Sequence, residues 1–240
     1  MIAWPSERTP RRRATTLADR CRGFSLVELT VVLIIVALLS GGLMLGLPAQ
    51  RNLADHLEAQ RQLENIREAL LGFALTKGRL PCPATPALPN TDALAGHENC
   101  ALEHGVLPWA ILGLPESDPW GNRFSYFAAS GFSAPLGSGA MASFTLDTEG
   151  TAEVRDSAAS GSNIASALPA LVISHGRNGA GAYQASGRKI PDGSGDELEN
   201  SNASNKLFVS HAATANFDDM LVWIVPSILK SRMVAAGRLP

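Results

Sequence analysis

From Phe24 to Leu47 the chain is apolar, interrupted only by Ser25, Glu28, Thr30, Ser40 and three glycines. Roughly 20 such residues in a helix span the hydrocarbon core of a bilayer, so the run predicts a membrane-spanning segment over 24–47. Just before it stand Arg8, Arg11, Arg12, Arg13, Arg20 and Arg22, against only Glu7 and Asp19. Cationic residues stay on the cytoplasmic side, so the amino terminus is expected inside and everything after Pro48 outside. A cleavable secretory signal would need small residues at a cut site behind the apolar run, and "LGLPAQ" supplies a poor one. A plain uncleaved anchor accounts for length and charge but leaves Glu28 unexplained, because an acid inside a membrane helix costs about 2.5–3.5 kcal/mol.

Charge also bears on partners. The whole chain carries −2 and residues 1–23 carry +4, so the remainder carries −6. Phosphate recognition needs clustered Lys and Arg, and an acidic body argues against a nucleic-acid partner. The chain has 240 residues, 45% of them hydrophobic. That is enough for one ordinary domain with a real core beside an anchoring segment.

Past Pro48, Leu53, Leu57, Leu63, Ile66, Leu70 and Phe73 recur mostly every three or four residues. This spacing predicts an amphipathic helix over 48–78, stopped by Gly78, with a stripe that needs a partner surface. Short β-type runs follow from Arg123, Ser143, Ala170, Lys206 and Asp219. "PSILKSRMVAAG" reads as a closing helix, with Pro226 in its first turn. Residues 156–166 and 187–205 read as polar loops, and no internal repeat is visible. The expected fold is α+β: a long amino-terminal helix whose second half packs on an antiparallel sheet.

"GFSLVELTVVLIIVALL" resembles the amino-terminal signature of type IV prepilins and type II secretion pseudopilins. The resemblance implies a dedicated prepilin peptidase that cuts after Gly23, before the apolar run. Phe24 would become the methylated new amino terminus, and Glu28 the fifth residue after the cut. A carboxylate there can meet the new ammonium, on its own chain or a neighbour's, which offsets the cost of desolvating either group. "LPWAILGLPESDPWGNRFSYF" (107–127) is similar to the pseudopilin segment in which a short helix leads into Asp-x-Trp-Gly and a Tyr-bearing strand. "RLPCPA", "ISHGRNGAGA", "FDDMLVW" and "RMVAAGRLP" are similar to a subset of prepilin-like proteins of undefined role. The insert over 132–168 has no counterpart in the resemblance.

The organisation implied is a basic leader over 1–23, a transmembrane and polymerisation helix over 24–47, an amphipathic half-helix over 48–78 and a globular domain over 79–240. The function implied is structural: a minor pilin or pseudopilin held in the inner membrane by a single pass, its carboxy-terminal domain in the periplasm. Its partners would be the prepilin peptidase, other pilin subunits, an inner-membrane assembly platform and the bilayer. The alternative is a membrane-anchored extracytoplasmic binding protein that never polymerises.

Three constellations invite chemistry. Cys82 and Cys100 fall outside the membrane, where a disulfide is the default. Zinc is the competing reading, with His97, His104 and both cysteines as ligands, at a spacing that is not a standard finger. "PDGSGDELEN" gathers Asp192, Asp196 and Glu197 among glycines, a candidate calcium loop that also reads as a solvated acidic turn. Ser174–His175 and Asp218–Asp219 suggest a hydrolase, but neighbours on a strand point to opposite faces, and no nucleophile elbow or phosphate loop is present. No enzyme is expected.

Overall fold

The structure, a computed structural model, describes residues 24–44, 47–202, 204 and 206–240, without the side chains of 40–49. The chain divides into two units, Met1–Pro48 and Ala49–Pro240.

In the first unit, α1 (Leu26–Met44) is an unbroken helix. Every described side chain from Phe24 to Leu39 is exposed. Among the described residues no helix is long and apolar enough to cross a membrane, and the span expected over 24–47 falls partly outside them.

The second unit opens within α2 (Leu47–Lys77), whose first turn carries Pro48. Pro lacks only an amide that a first turn leaves unpaired, so it starts this helix without cost. Gly78 ends it with φ +74, a left-handed conformation that glycine adopts freely, and its amide donates to Ala74 O at 2.8 Å. The expected stripe is only half used. Leu63, Ile66 and Leu70 are buried together with Ala59, Leu71 and Ala74, whereas Leu53 and Leu57 stay exposed.

That face packs on a four-stranded antiparallel sheet, in the order β1 (His104–Val106), β2 (Ser125–Ala128), β5 (Ala170–Ser174), β7 (Met220–Trp223). β2 and β5 are buried at every position, because helix covers one face and loops and a second sheet cover the other. Each fully buried Leu or Phe in such a core contributes about 1.5–3 kcal/mol of transfer free energy. The second sheet has the order β4 (Asn163–Leu168), β3 (Ala152–Arg155), β6 (Leu207–Val209). β3 runs antiparallel to β4 but parallel to β6, so the insert over 132–168 builds most of this sheet. The fold is α+β and pilin-like, with an amino-terminal helical region followed by antiparallel sheet.

Three local expectations are corrected. Residues 143–148 form a turn rather than a strand: Thr148 Oγ1 accepts from Thr145 N at 2.9 Å, a local bond that outcompetes the ladder. Phe144 is nonetheless core, 4.6 Å from the Phe132 ring. The polar stretch 156–166 contains the start of β4, an edge strand whose large apolar residue there, Ile164, is itself exposed. The stretch 187–205 contains α5 (Asp196–Asn202), with three acids in its first turn that favour the positive end of the helix. The closing helix, α6 (Pro226–Ala235), has Pro226 at its start as expected.

The 107–127 segment is held at three points. α3 (Trp109–Leu112) is a single short turn. Asp118 Oδ1 accepts from the amides of Trp120 and Asn122 at 3.0 and 2.9 Å, which closes the Asp-Pro-Trp-Gly turn. Asp118 Oδ2 accepts from Ser174 Oγ at 2.7 Å, tying that turn to β5. Burial pushes the Asp118 carboxyl up while these hydrogen bonds hold it down. Trp120 meets the ring of His56 edge-on at 5.1 Å, which sets the turn against α2. Arg123 is wholly buried yet fully engaged, with Glu116 at 2.6 Å and the carbonyls of Pro86, Leu88 and Ala185 at 3.0, 2.6 and 3.2 Å. Its guanidinium lies 4.6 Å from the centre of the Trp109 ring. Removing any one partner would leave part of a buried charge unpaired, which costs several kcal/mol.

Candidate functional site

The expected processing and assembly residues lie at the start of α1. Gly23 falls outside the described residues. Phe24 is 81% exposed, and the helix begins two residues later. Ser25 occupies the N-cap: its Oγ accepts from Glu28 N at 3.4 Å, and its carbonyl accepts from Leu29 N at 3.1 Å. Ser-Leu-Val-Glu therefore has the form of a capping box, with Ser at the cap and an acid three residues on. This was readable in the sequence and gives Glu28 a local role beside any intermolecular one. Its charge also suits the positive end of α1. Among the described residues the Glu28 carboxylate receives no hydrogen bond and no cation. It is free to accept one from outside.

The cysteines come together. Cys82 and Cys100 form a disulfide with a Cα–Cα distance of 5.0 Å, so no thiolate remains for the four-ligand zinc reading with His97 and His104. Glu98 braces the bridge, accepting from Cys82 N at 2.7 Å and from both Nη atoms of Arg79 at 2.7 and 3.0 Å. Tyr126 OH donates to Pro81 O at 3.0 Å just before it, and burial raises that phenol well above its ordinary range.

Asp192, Asp196 and Glu197 do not converge as one ligand set. Asp192 is exposed and pairs with Lys189 at 2.6 Å, which lowers its carboxyl. Asp196 accepts from Ala158 N at 2.8 Å and lies 3.2 Å from His211 Nε2. Glu197 alone turns inward, and there it meets Asp218 and Asp219, with donor oxygens mutually within 4.8 Å. Residues close in sequence diverge because α5 begins at Asp196 and sends successive side chains around its axis.

The pairs considered for hydrolysis also part. Ser174 bonds to Asp118, not to His175. His175 Nε2 instead shares a 2.8 Å hydrogen bond with Ser125 Oγ, and its Nδ1 lies 3.6 Å from Asp219 Oδ1. This row of Ser125 in β2, His175 just past β5 and Asp219 just before β7 joins segments that no single-segment motif could reveal. All three residues are buried. The Ser125–His175 bond ties β2 to the end of β5, with Asp219 just beyond hydrogen-bond reach.

Residues 19–44 match the family model for the prokaryotic N-terminal methylation motif. This motif is the hallmark of type IV prepilin-like proteins. The amino-terminal segment is prepilin-like. The match covers the amino-terminal segment alone. No curated protein and no solved structure matches the chain. The family that carries this motif is structural rather than enzymatic.

Proposed function

We propose that this prepilin-like chain is a minor pilin or pseudopilin of a type IV pilus or type II secretion pseudopilus. The observation that carries the reading is the methylation motif on a helix whose described apolar side chains all stand exposed. Such a surface needs a partner outside the chain, first lipid and then the helices of other subunits. In this reading residues 1–23 are a leader removed by the prepilin peptidase after Gly23. Residues 24–47 anchor the subunit in the inner membrane in a single pass and later form the filament core. The domain after residue 78 faces the periplasm, and an inner-membrane platform drives assembly.

Glu28 has a definite task here. Cleavage creates an ammonium at Phe24, and within a filament both groups lose water. An unpaired buried charge costs about 3–5 kcal/mol, so Glu28 favours assembly when it meets the Phe24 ammonium of an adjacent subunit. The test has two parts. The mature protein should have a mass that begins at Phe24 with one added methyl, and Gly23→Val should accumulate uncut in the membrane. Glu28→Gln should be cut and inserted normally yet appear in sheared filaments at less than about a tenth of the wild-type share. Wild-type incorporation of Glu28→Gln would refute the pairing. Normal cleavage with no filament incorporation of the wild type would favour an anchored binding protein instead.

A further inference from the structure

We propose that Glu197, Asp218 and Asp219 form a binding site for a hard divalent cation, calcium. The three carboxylates converge from α5 and from the edge of β7, with donor oxygens all within 4.8 Å of one another. Glu197 and Asp219 are each only 5% exposed. Three carboxylates so close and so dry are strongly destabilising unless something positive stands among them.

The hydrogen-bond donors that meet these oxygens are neutral. Glu197 Oε1 accepts from Asn178 Nδ2 at 2.6 Å and from Asp218 N at 3.3 Å. Asp218 Oδ2 accepts from the amides of Arg177 and Asn178 at 2.9 and 3.1 Å. Asp219 Oδ2 accepts from Asn200 Nδ2 at 2.8 Å. The Arg177 guanidinium turns away to Asn52. Among the described residues no Lys or Arg side chain pairs with the three acids. The second observation is independent of this clustering. Asp218 Oδ1 and Asp219 Oδ1 are buried and have no hydrogen-bond partner at all. His175 Nδ1 is 3.6 Å from Asp219 Oδ1, beyond hydrogen-bond reach.

The donor set is oxygen throughout, which selects a hard cation over zinc or copper. Calcium is the better fit than magnesium, because it accepts irregular geometry and several carboxylates without demanding a shell of retained water. The supports are built for positioning. Asn200 is locked to β6, its Oδ1 accepting from Val209 N at 2.7 Å and its Nδ2 donating to Val209 O at 3.0 Å. Gly176, at φ +58, lets the 176–178 turn close on Asp218, since a Cβ there would lie 2.6 Å from Asp218 Oδ1. A bound ion would therefore join α5, the 176–178 turn and the β7 edge. The ligand set differs from the 192–197 loop read from sequence and shares only Glu197 with it.

The site is independent of filament assembly, so metal titration and filament incorporation test separate claims. Full-length protein in detergent, stripped with chelator, would be titrated with calcium chloride by calorimetry and melted with calcium or with magnesium. The expected result is about one calcium ion per chain and a higher melting temperature in calcium than in magnesium. Glu197→Gln and Asp218→Asn should bind calcium at least about tenfold more weakly, while Asp192→Asn binds as wild type. The wild-type titration decides first and needs no variant: no heat and no melting shift would overturn the site. Loss of binding in Asp192→Asn, or wild-type affinity in Glu197→Gln, would move the ion elsewhere and equally overturn it. A larger shift with magnesium would overturn the choice of calcium.

Discussion

α1 and α2 are both long helices, yet they dispose of their apolar residues in opposite ways. α1 is apolar on all sides, and its described side chains are exposed from Phe24 to Leu39. α2 is amphipathic and hides Leu63, Ile66, Leu70, Leu71 and Ala74 against its own sheet. A helix with one apolar stripe needs one partner face, and the chain provides it. A helix apolar all round needs surroundings that a single chain of this size does not provide. The difference separates stability from assembly: the body should hold itself together, and α1 should matter only to what lies outside the chain.

Substitutions in the two regions should break that comparison if it is wrong. Phe127→Ala, in the body's core beside Phe208 at 5.7 Å, should cost about 3–5 kcal/mol. Leu33→Ala on α1 should leave the melting of the body unchanged. A fall in melting temperature for Leu33→Ala in detergent would show that α1 is part of the folded core after all.

The disulfide comes next in size. It closes a loop with a sequence separation of 18, and its loss should cost about 3 kcal/mol in the chain-entropy model. Cys82→Ser with Cys100→Ser should lower the melting temperature and slow migration on a non-reducing gel. Equal melting with and without reductant would show that Arg79 and Glu98 alone hold this segment.

His104 gives the body a pH limit of comparable or smaller size. Burial, then the charges of His175 and Lys189, lower its imidazole to about 4. Folded His104 refuses a proton that the unfolded chain accepts near pH 6.5. Its stabilisation is therefore complete above about 6.5 and is lost as pH falls toward 4, on the order of 3 kcal/mol in all. Melting curves between pH 7.5 and 4 should show this limb, and His104→Gln should flatten it. An unchanged limb in the variant would assign it to the carboxylates instead.

The smallest effect should come from the surface. Arg232 and Glu68 join α6 to α2 at 2.7 Å, but both are substantially exposed, and water and salt screen such pairs. Glu68→Gln should not shift the melting temperature measurably in physiological salt. A clear shift would mark this contact as more than a surface pair.

How much was legible follows from where each signal lies. The start of α1 could be read from a few adjacent residues, because capping, charge order and unbroken apolarity are all local. The stop at Gly78 and the Asp118 turn were legible for the same reason. β4 was not, since an edge strand on a second sheet has no apolar alternation to betray it. The Ser143 run has real alternation, yet it forms a turn because its threonines bond to each other. Arg123 looked like the polar opening of a strand, and only the folded chain reveals four partners around a buried guanidinium.

The acids make the same division within one segment. Sequence alone determined that Asp192, Asp196 and Glu197 are clustered along the chain and that Asp218 and Asp219 are adjacent. It also determined the prepilin-like amino terminus, whose meaning rests on neighbouring residues and needs no tertiary contact. Only the tertiary structure decided that Glu197 leaves its neighbours to meet Asp218 and Asp219, and that His175 turns to Ser125 rather than Ser174. Helix and strand periodicity send adjacent side chains apart, and long-range packing of α5 against the β7 edge brings distant ones together.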